Sequence, residues 1–189
     1  MKKIKALEPF TKALDAVQKL FENNSYQWMI LGGIAVSILG KPRFTRDIDA
    51  VALLDISDIP LFLERAKDIG LEPRISDVEE FAKKSRVLLL YHKETCIPID
   101  ISMGILPFEE ETIKRSQIVQ IGDLSLHLPT PEDLIIFKAV ADRPQDIIDI
   151  QGIIESHPQL DRRYIKYWVK EFADVLETQE IYERIKKLL

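Results

Sequence analysis

The sequence predicts an α/β (α+β) chain: a small mixed sheet flanked by helices over residues 1–130, then a C-terminal helical subdomain over 131–189 packed on it. Three observations predict this. Short apolar runs bounded by glycine or turn residues alternate with amphipathic helical stretches in the first part. Beyond the PTP of residues 129–131 the spacing is helical, with almost no strand signal. No Gly/Ser linker separates the two parts, so they are expected to pack together.

Taken in order, Pro9 opens a helix whose apolar positions Phe10, Leu14, Val17, Leu20 and Phe21 form one stripe, ended by Asn23 and Asn24. YQWMIL reads as a buried strand stopping at Gly32 and Gly33, and IAVSILG as a helix closed by Gly40. KPRFTR is a basic connection into DIDAVALL, a central strand with one end at a site. Residues 60–69 form a helix closed by Gly70. RVLLLYH and CIPIDIS are strands joined by a KET hairpin turn, and IVQIGDLSLHL is a second hairpin turning at Gly122 and Asp123. Thr130 is placed to cap the next helix, with Pro131 in its first turn and Asp133 three residues on.

Composition narrows the function classes. A net charge of -5 gives no global positive field to attract a long polynucleotide. The single cysteine, Cys96, excludes an internal disulfide framework and reads as a buried strand thiol amid CIPIDI. MKKIKALEPF lacks the apolar run of a signal peptide. No stretch approaches the ~20 apolar residues of a membrane span. A soluble, cytoplasmic protein is expected. His92, His127 and His157 are scattered and suggest no zinc site.

The acids carry the chemistry. Asp47 and Asp49 flank Ile48, so on a strand both carboxylates share one face. Close like charges repel, and Mg²⁺, which prefers carboxylate oxygens and also accepts phosphate oxygens, would relieve that repulsion. The alternative for this pair alone is a solvated strand end. Asp100 interrupts the otherwise apolar CIPIDISM, where an unpaired carboxylate costs several kcal/mol. It is expected beside the other two on a neighbouring strand, the alternative being a structural Asp paired with a basic residue such as Arg43 or Arg46. Gly32 and Gly33, between strand and helix, aim backbone N–H groups at a bound anion. Lys138 lies within apolar LIIFKAV, where a solvated lysine and a functional one are equally weighted. Tyr164, Tyr167 and Trp168 read as helix core rather than an interface patch.

LGGIAVSILGKPRFTRDIDAVALL, with IDIS later, resembles the nucleotidyltransferase superfamily typified by DNA polymerase beta. That pattern is Gly, then Gly or Ser, about a dozen residues, an acid–apolar–acid pair, and a third acid on a later strand. Within it the chain is most similar to the small group near AbiE-type toxins and minimal nucleotidyltransferases, through Gly32, Gly33, Ala35, Arg43, Thr45, Asp47 and Asp49. The likeness continues through Lys138, Arg143, Asp146 and Asp149, so it touches about residues 26–152.

The resemblance implies a nucleotidyltransferase fold and transfer of NMP from an NTP to a hydroxyl of a macromolecule, with release of pyrophosphate. Asp47, Asp49 and Asp100 would hold two Mg²⁺ ions about 3.5–4 Å apart. Gly32 and Gly33 would receive the β- and γ-phosphates, with Thr45 donating a hydrogen bond and Arg43, Arg46 or Lys138 neutralising the triphosphate. Asp146 and Asp149 would orient those groups. The expected acceptor is tRNA, or a partner protein of a toxin–antitoxin pair. The alternative is a non-catalytic nucleotide-binding partner or antitoxin protein.

Overall fold

The computed structural model describes residues 7–189; most of the MKKIKALEPF segment, read as lacking a signal peptide, lies outside the described residues. Pro9 belongs to a 3₁₀ turn, Glu8–Phe10, and the α-helix itself, α1, runs Thr11–Asn23. Its expected stripe is buried: Leu14, Val17, Leu20 and Phe21 are at most 1% exposed. Strand β1 (Trp28–Ile30) leads into α2 (Gly32–Leu39), so the paired glycines form the helix's first turn instead of preceding it. Strand β2 (Ile48–Ala52), helix α3 (Ile59–Asp68) and strand β3 (Leu71–Pro73) follow. Gly70, between α3 and β3, has φ +79°, the left-handed conformation that ends a helix most cheaply with glycine.

Helix α4 (Val78–Ser85) connects to β4 (Val87–His92) and β5 (Pro98–Met103), which pair antiparallel across Lys93–Thr95 as the KET turn predicts. Helix α5 (Pro107–Lys114) precedes the hairpin β6 (Gln117–Ile121) and β7 (Leu124–Leu128). The remainder is helical: α6 (Pro131–Ala141), α7 (Pro144–Ser156), α8 (Arg162–Val175) and α9 (Gln179–Leu188). Thr130 Oγ1 accepts a 3.1 Å hydrogen bond from the Asp133 N–H, the cap its spacing predicts.

The main sheet has the order β1-β2-β5-β4-β3, and β6 and β7 form a separate two-stranded ladder. Among the described residues only β2 and β5 pair in parallel; the other neighbours are antiparallel. The central strand is β5, with β2 beside it, where DIDAVALL had been expected at the centre. One apolar cluster joins Ile34 and Ala35 of α2, Leu88 and Ile99 of the sheet, and Leu134, Ile150 and Ile153 of the helical part. At its far edge Gly40 meets α7 so closely that a Cβ there would lie 3.1 Å from Ile153 Cγ1. Nearby, His157 Nε2 donates to the Leu39 carbonyl at 2.6 Å.

Cys96 corrects an expectation. It is exposed, at φ +56°, in the turn before β5, and the buried strand begins only after it. The aromatic residues of α8 divide. Trp168 packs 4.8 Å from the Phe108 ring and Tyr164 donates to Asp133, whereas Tyr167 is 57% exposed.

Candidate active site

The parallel register of β2 and β5 pairs Asp49 with Asp100 directly, flanked by Ile48 with Ile99 and Ala50 with Ile101. Side chains alternate along a strand, so the two isoleucines and Ala50 and Ile101 enter the core while both acids share the opposite face. Asp47 sits just before β2, and Thr45 Oγ1 donates to its Oδ1 at 2.9 Å. The three acids are therefore brought to one end of the central pair of strands.

Their electrostatics follow from that convergence. Burial, then the charges of Asp47 and Asp100, push the Asp49 carboxyl up to about 6, against the opposing pull of Lys138 and Arg143. Burial also raises Asp100, although Arg74 works the other way through its charge and a hydrogen bond. Arg74 Nη2 donates to Asp100 Oδ1 at 2.7 Å. Asp100 thus has the cationic partner of the alternative reading, supplied by Arg74 instead of the Arg43 or Arg46 that the sequence suggests, and it also lies beside Asp49.

The glycine turn is pressed against these acids. Gly32 has φ +58°, and a Cβ there would fall 1.7 Å from Asp49 Oδ2. A Cβ on Gly33 would fall 2.5 Å from Thr45 Oγ1. The missing side chains first make room for the protein's own acid and hydroxyl. We expect Gly32→Ala to misplace Asp49, costing about 1–2 kcal/mol of stability and roughly a hundredfold in kcat/KM for any transfer the site performs. Thermal unfolding and steady-state kinetics check this, and an unaltered kcat/KM would contradict it.

Beside the turn opens a cleft of about 360 Å³ lined by Gly33, Thr45, Asp47, Asp49 and, on its basic side, Arg43, Arg46, Lys138 and Arg143. Asp100 lies outside this lining, on the Arg74 side. Arg46 stands 6.0 Å over the ring of Phe44, which is 79% exposed. Arg43 binds Asp149 through Nε at 2.9 Å and Nη2 at 3.1 Å.

Lys138 is 3% exposed, with Nζ 2.8 Å from Asp146 Oδ1 and 3.2 Å from Asp149 Oδ2. Arg143 adds Nε–Asp146 Oδ2 at 2.7 Å, and Gln145 Nε2 donates to Asp149 Oδ1 at 3.0 Å. Burial acts to raise the Asp146 carboxyl, but the hydrogen bonds from Arg143 and Lys138 overcome it and hold the group below its usual range. A lattice of cations and acids, buried at Lys138, Asp146 and Asp149 and open to solvent at Arg143, therefore walls the cleft and joins the loop before β2 to α6 and α7.

Asp47, Asp49 and Asp100 offer oxygen donors only, which suits Mg²⁺; Asp49 is raised first by burial and then by its two acidic neighbours, and a divalent cation would offset both. The donor chemistry fits. Among the described residues no three His, Cys, Asp or Glu side chains are already grouped to hold one ion, and Asp100 is engaged by Arg74 instead. Arg74 is the site residue that the sequence does not reveal. It follows a three-residue strand and lies 26 residues before its partner.

The family model described as nucleotidyltransferase of unknown function (DUF6036) matches residues 8–187. No curated protein matches the chain. Among solved structures, the antibiotic-resistance factor ANT(2'')-Ia superposes with a TM-score of 0.58 at 12% identity, over 92% of this chain and 97% of that one. The lincosamide antibiotic adenylyltransferase LnuA, solved with lincomycin bound, gives 0.53 at 19% identity, over 74% of this chain and 93% of that one. These likenesses concern the fold. With the family match running nearly end to end over the cleft described above, the chain belongs to the nucleotidyltransferase family.

Proposed function

We propose that this chain transfers a nucleoside monophosphate from an NTP to an acceptor hydroxyl, with Asp47, Asp49 and Asp100 as the ligands of Mg²⁺. The observation that carries this reading is the parallel register that seats Asp100 beside Asp49 on one face of the sheet. In the reaction the acceptor oxygen bonds to the α-phosphorus, and the bond from that phosphorus to the pyrophosphate oxygen breaks. Bound Mg²⁺ would make the attacking oxygen more acidic and offset charge on the leaving group.

The chain's own groups supply position and countercharge. The N-terminus of α2 at Gly32 and Gly33 directs backbone N–H groups and the helix dipole toward the β- and γ-phosphates. Arg46 and Arg143, on the cleft wall, balance the triphosphate. Arg43 and Lys138 contribute charge from within the lattice while holding Asp149 and Asp146 in place. Thr45 fixes the Asp47 carboxylate through its 2.9 Å hydrogen bond.

The acceptor is a macromolecule on this reading, tRNA or a partner protein encoded as the other half of a toxin–antitoxin pair in the cytoplasm. The chain's net charge of -5 favours the protein over tRNA. The experiment incubates the protein and Mg²⁺ with each α-labelled NTP and, separately, total tRNA, proteins that co-purify with it, or lincomycin. Label on a macromolecule, lost in Asp47→Ala, supports the proposal. Label on lincomycin alone replaces the acceptor class. NTP binding without transfer to any acceptor points to a non-catalytic nucleotide-binding protein.

A further inference from the structure

We infer that Arg74 is a built-in competitor for the divalent cation, a positioning residue that occupies Asp100 until the cation displaces it. The inference rests on the proposed metal role of the three acids and concerns what governs access to it.

The sheet order sets up the competition. Asp100 lies on the central strand, with Asp49 paired to it on the β2 side and Leu89 of β4 on the other. Arg74 follows β3, beyond β4, where its N–H donates to the Leu89 carbonyl at 2.9 Å. Its backbone is thus two strand spacings from β5, roughly 10 Å, a distance that an extended arginine and the Asp100 side chain cover together. The side chain crosses β4 to place Nη2 2.7 Å from Asp100 Oδ1. The Asp100 carboxylate therefore stands between two sources of positive charge: the guanidinium from the β3 side, and whatever cation the acids at the end of β2 collect.

Both cannot be served fully. An oxygen that accepts a charge-assisted hydrogen bond is a weaker donor to a metal, and a guanidinium at that distance repels a divalent ion. Holding a long side chain extended also costs rotamer freedom, which is regained when the pair opens. Both partners remain about one-third exposed, at 34% for Arg74 and 33% for Asp100, so the pair is weak enough to be displaced. Asp47 takes a hydrogen bond from Thr45, and Asp49 feels Arg143 and Lys138 through charge without an ion pair to either among the described residues, so these two form the standing part of the site and Asp100 the part that joins last.

The test is Mn²⁺ binding to the full chain, followed by electron paramagnetic resonance of the free ion, without nucleotide and at one pH. Arg74→Gln is expected to bind Mn²⁺ about fivefold more tightly than wild type, with Arg74→Lys closer to wild type. In an Asp100→Asn background the Arg74→Gln effect is expected to vanish, because no third carboxylate remains to be released. Equal or weaker Mn²⁺ binding in a folded Arg74→Gln overturns the inference while leaving the metal site standing. Failure of wild type and Arg74→Gln alike to bind Mn²⁺, even with a non-hydrolysable NTP, overturns the metal reading and this inference with it.

Discussion

Asn at position 49 will make the metal-free protein more stable and the enzyme inactive. The Asp49 carboxyl is raised from 3.8 to about 6, so its charged form is disfavoured in the fold relative to the unfolded chain. Below the unfolded value both states are protonated and nothing is lost. As pH climbs from there to about 6, the unfolded state has given up its proton while the fold still holds it, and stability falls by an amount complete above about 6. The shift corresponds to roughly 2 kcal/mol once relaxation by solvent is allowed for. In chelator at pH 7, Asp49→Asn should therefore melt about 4–8 °C above wild type. Its melting temperature should also vary less between pH 4 and 7. Mg²⁺ should raise the wild-type melting temperature but not that of the variant. Transfer should drop at least about a thousandfold if Asp49 is one of the Mg²⁺ ligands, as proposed. A variant that melts below wild type in chelator would mean that burial and like charge do not disfavour the Asp49 carboxylate.

The second large effect has the opposite sign. Lys138→Met removes the central cation of the lattice and leaves two carboxylates at 1% and 2% side-chain exposure without it. Breaking a buried pair by deleting one partner typically costs 3–5 kcal/mol. Asp146 retains Arg143, and Asp149 retains Arg43 and Gln145, so a loss of about 3 kcal/mol is expected. Urea unfolding should show a lower midpoint with little change in slope. Adding Asp146→Asn should restore part of the loss, because the charge left uncompensated is then removed. A single variant that unfolds within error of wild type would mean that Lys138 is not a structural cation. Its partners sit on α7, so its loss should also loosen the wall of the cleft.

Much of the site is legible in the chain because its parts are local. Asp47 and Asp49 are two residues apart, and the glycines adjoin the strand before α2. Asp100 stands out because it interrupts an apolar strand. The Lys138, Asp146 and Asp149 group follows from helical spacing around a single turn at Asp142 and Arg143. Contacts between remote segments are not legible. Arg43 is expected at the triphosphate, yet it binds Asp149, 106 residues away. Arg74 reaches Asp100 only because β4 lies between β3 and β5, an order no spacing encodes. Small elements also escape. Strand β3 is three residues, and α4 buries only Val78 and Ala82, too short a stripe for a period to register. Helix α5 starts at Pro107, and Glu109 Oε2 accepts from the Ile105 and Leu106 N–H groups at 2.9 Å, a local cap without a long apolar face. Cys96 misleads because apolar neighbours on one side conceal a left-handed turn on the other.

The β2–β5 pairing has a further consequence for biosynthesis. The two strands are neighbours in space, but α3, β3, α4 and β4 are made between them. A nascent chain that has emerged only through β2 carries the first two acids and the glycine turn, yet it lacks the strand that brings the third. Slippage of β5 by a single position would turn that acid toward the apolar interior. If the three acids act together as proposed, ribosome-bound fragments and misregistered folds would be chemically silent, and the capacity to consume triphosphate would come only once β5 pairs with β2 in register.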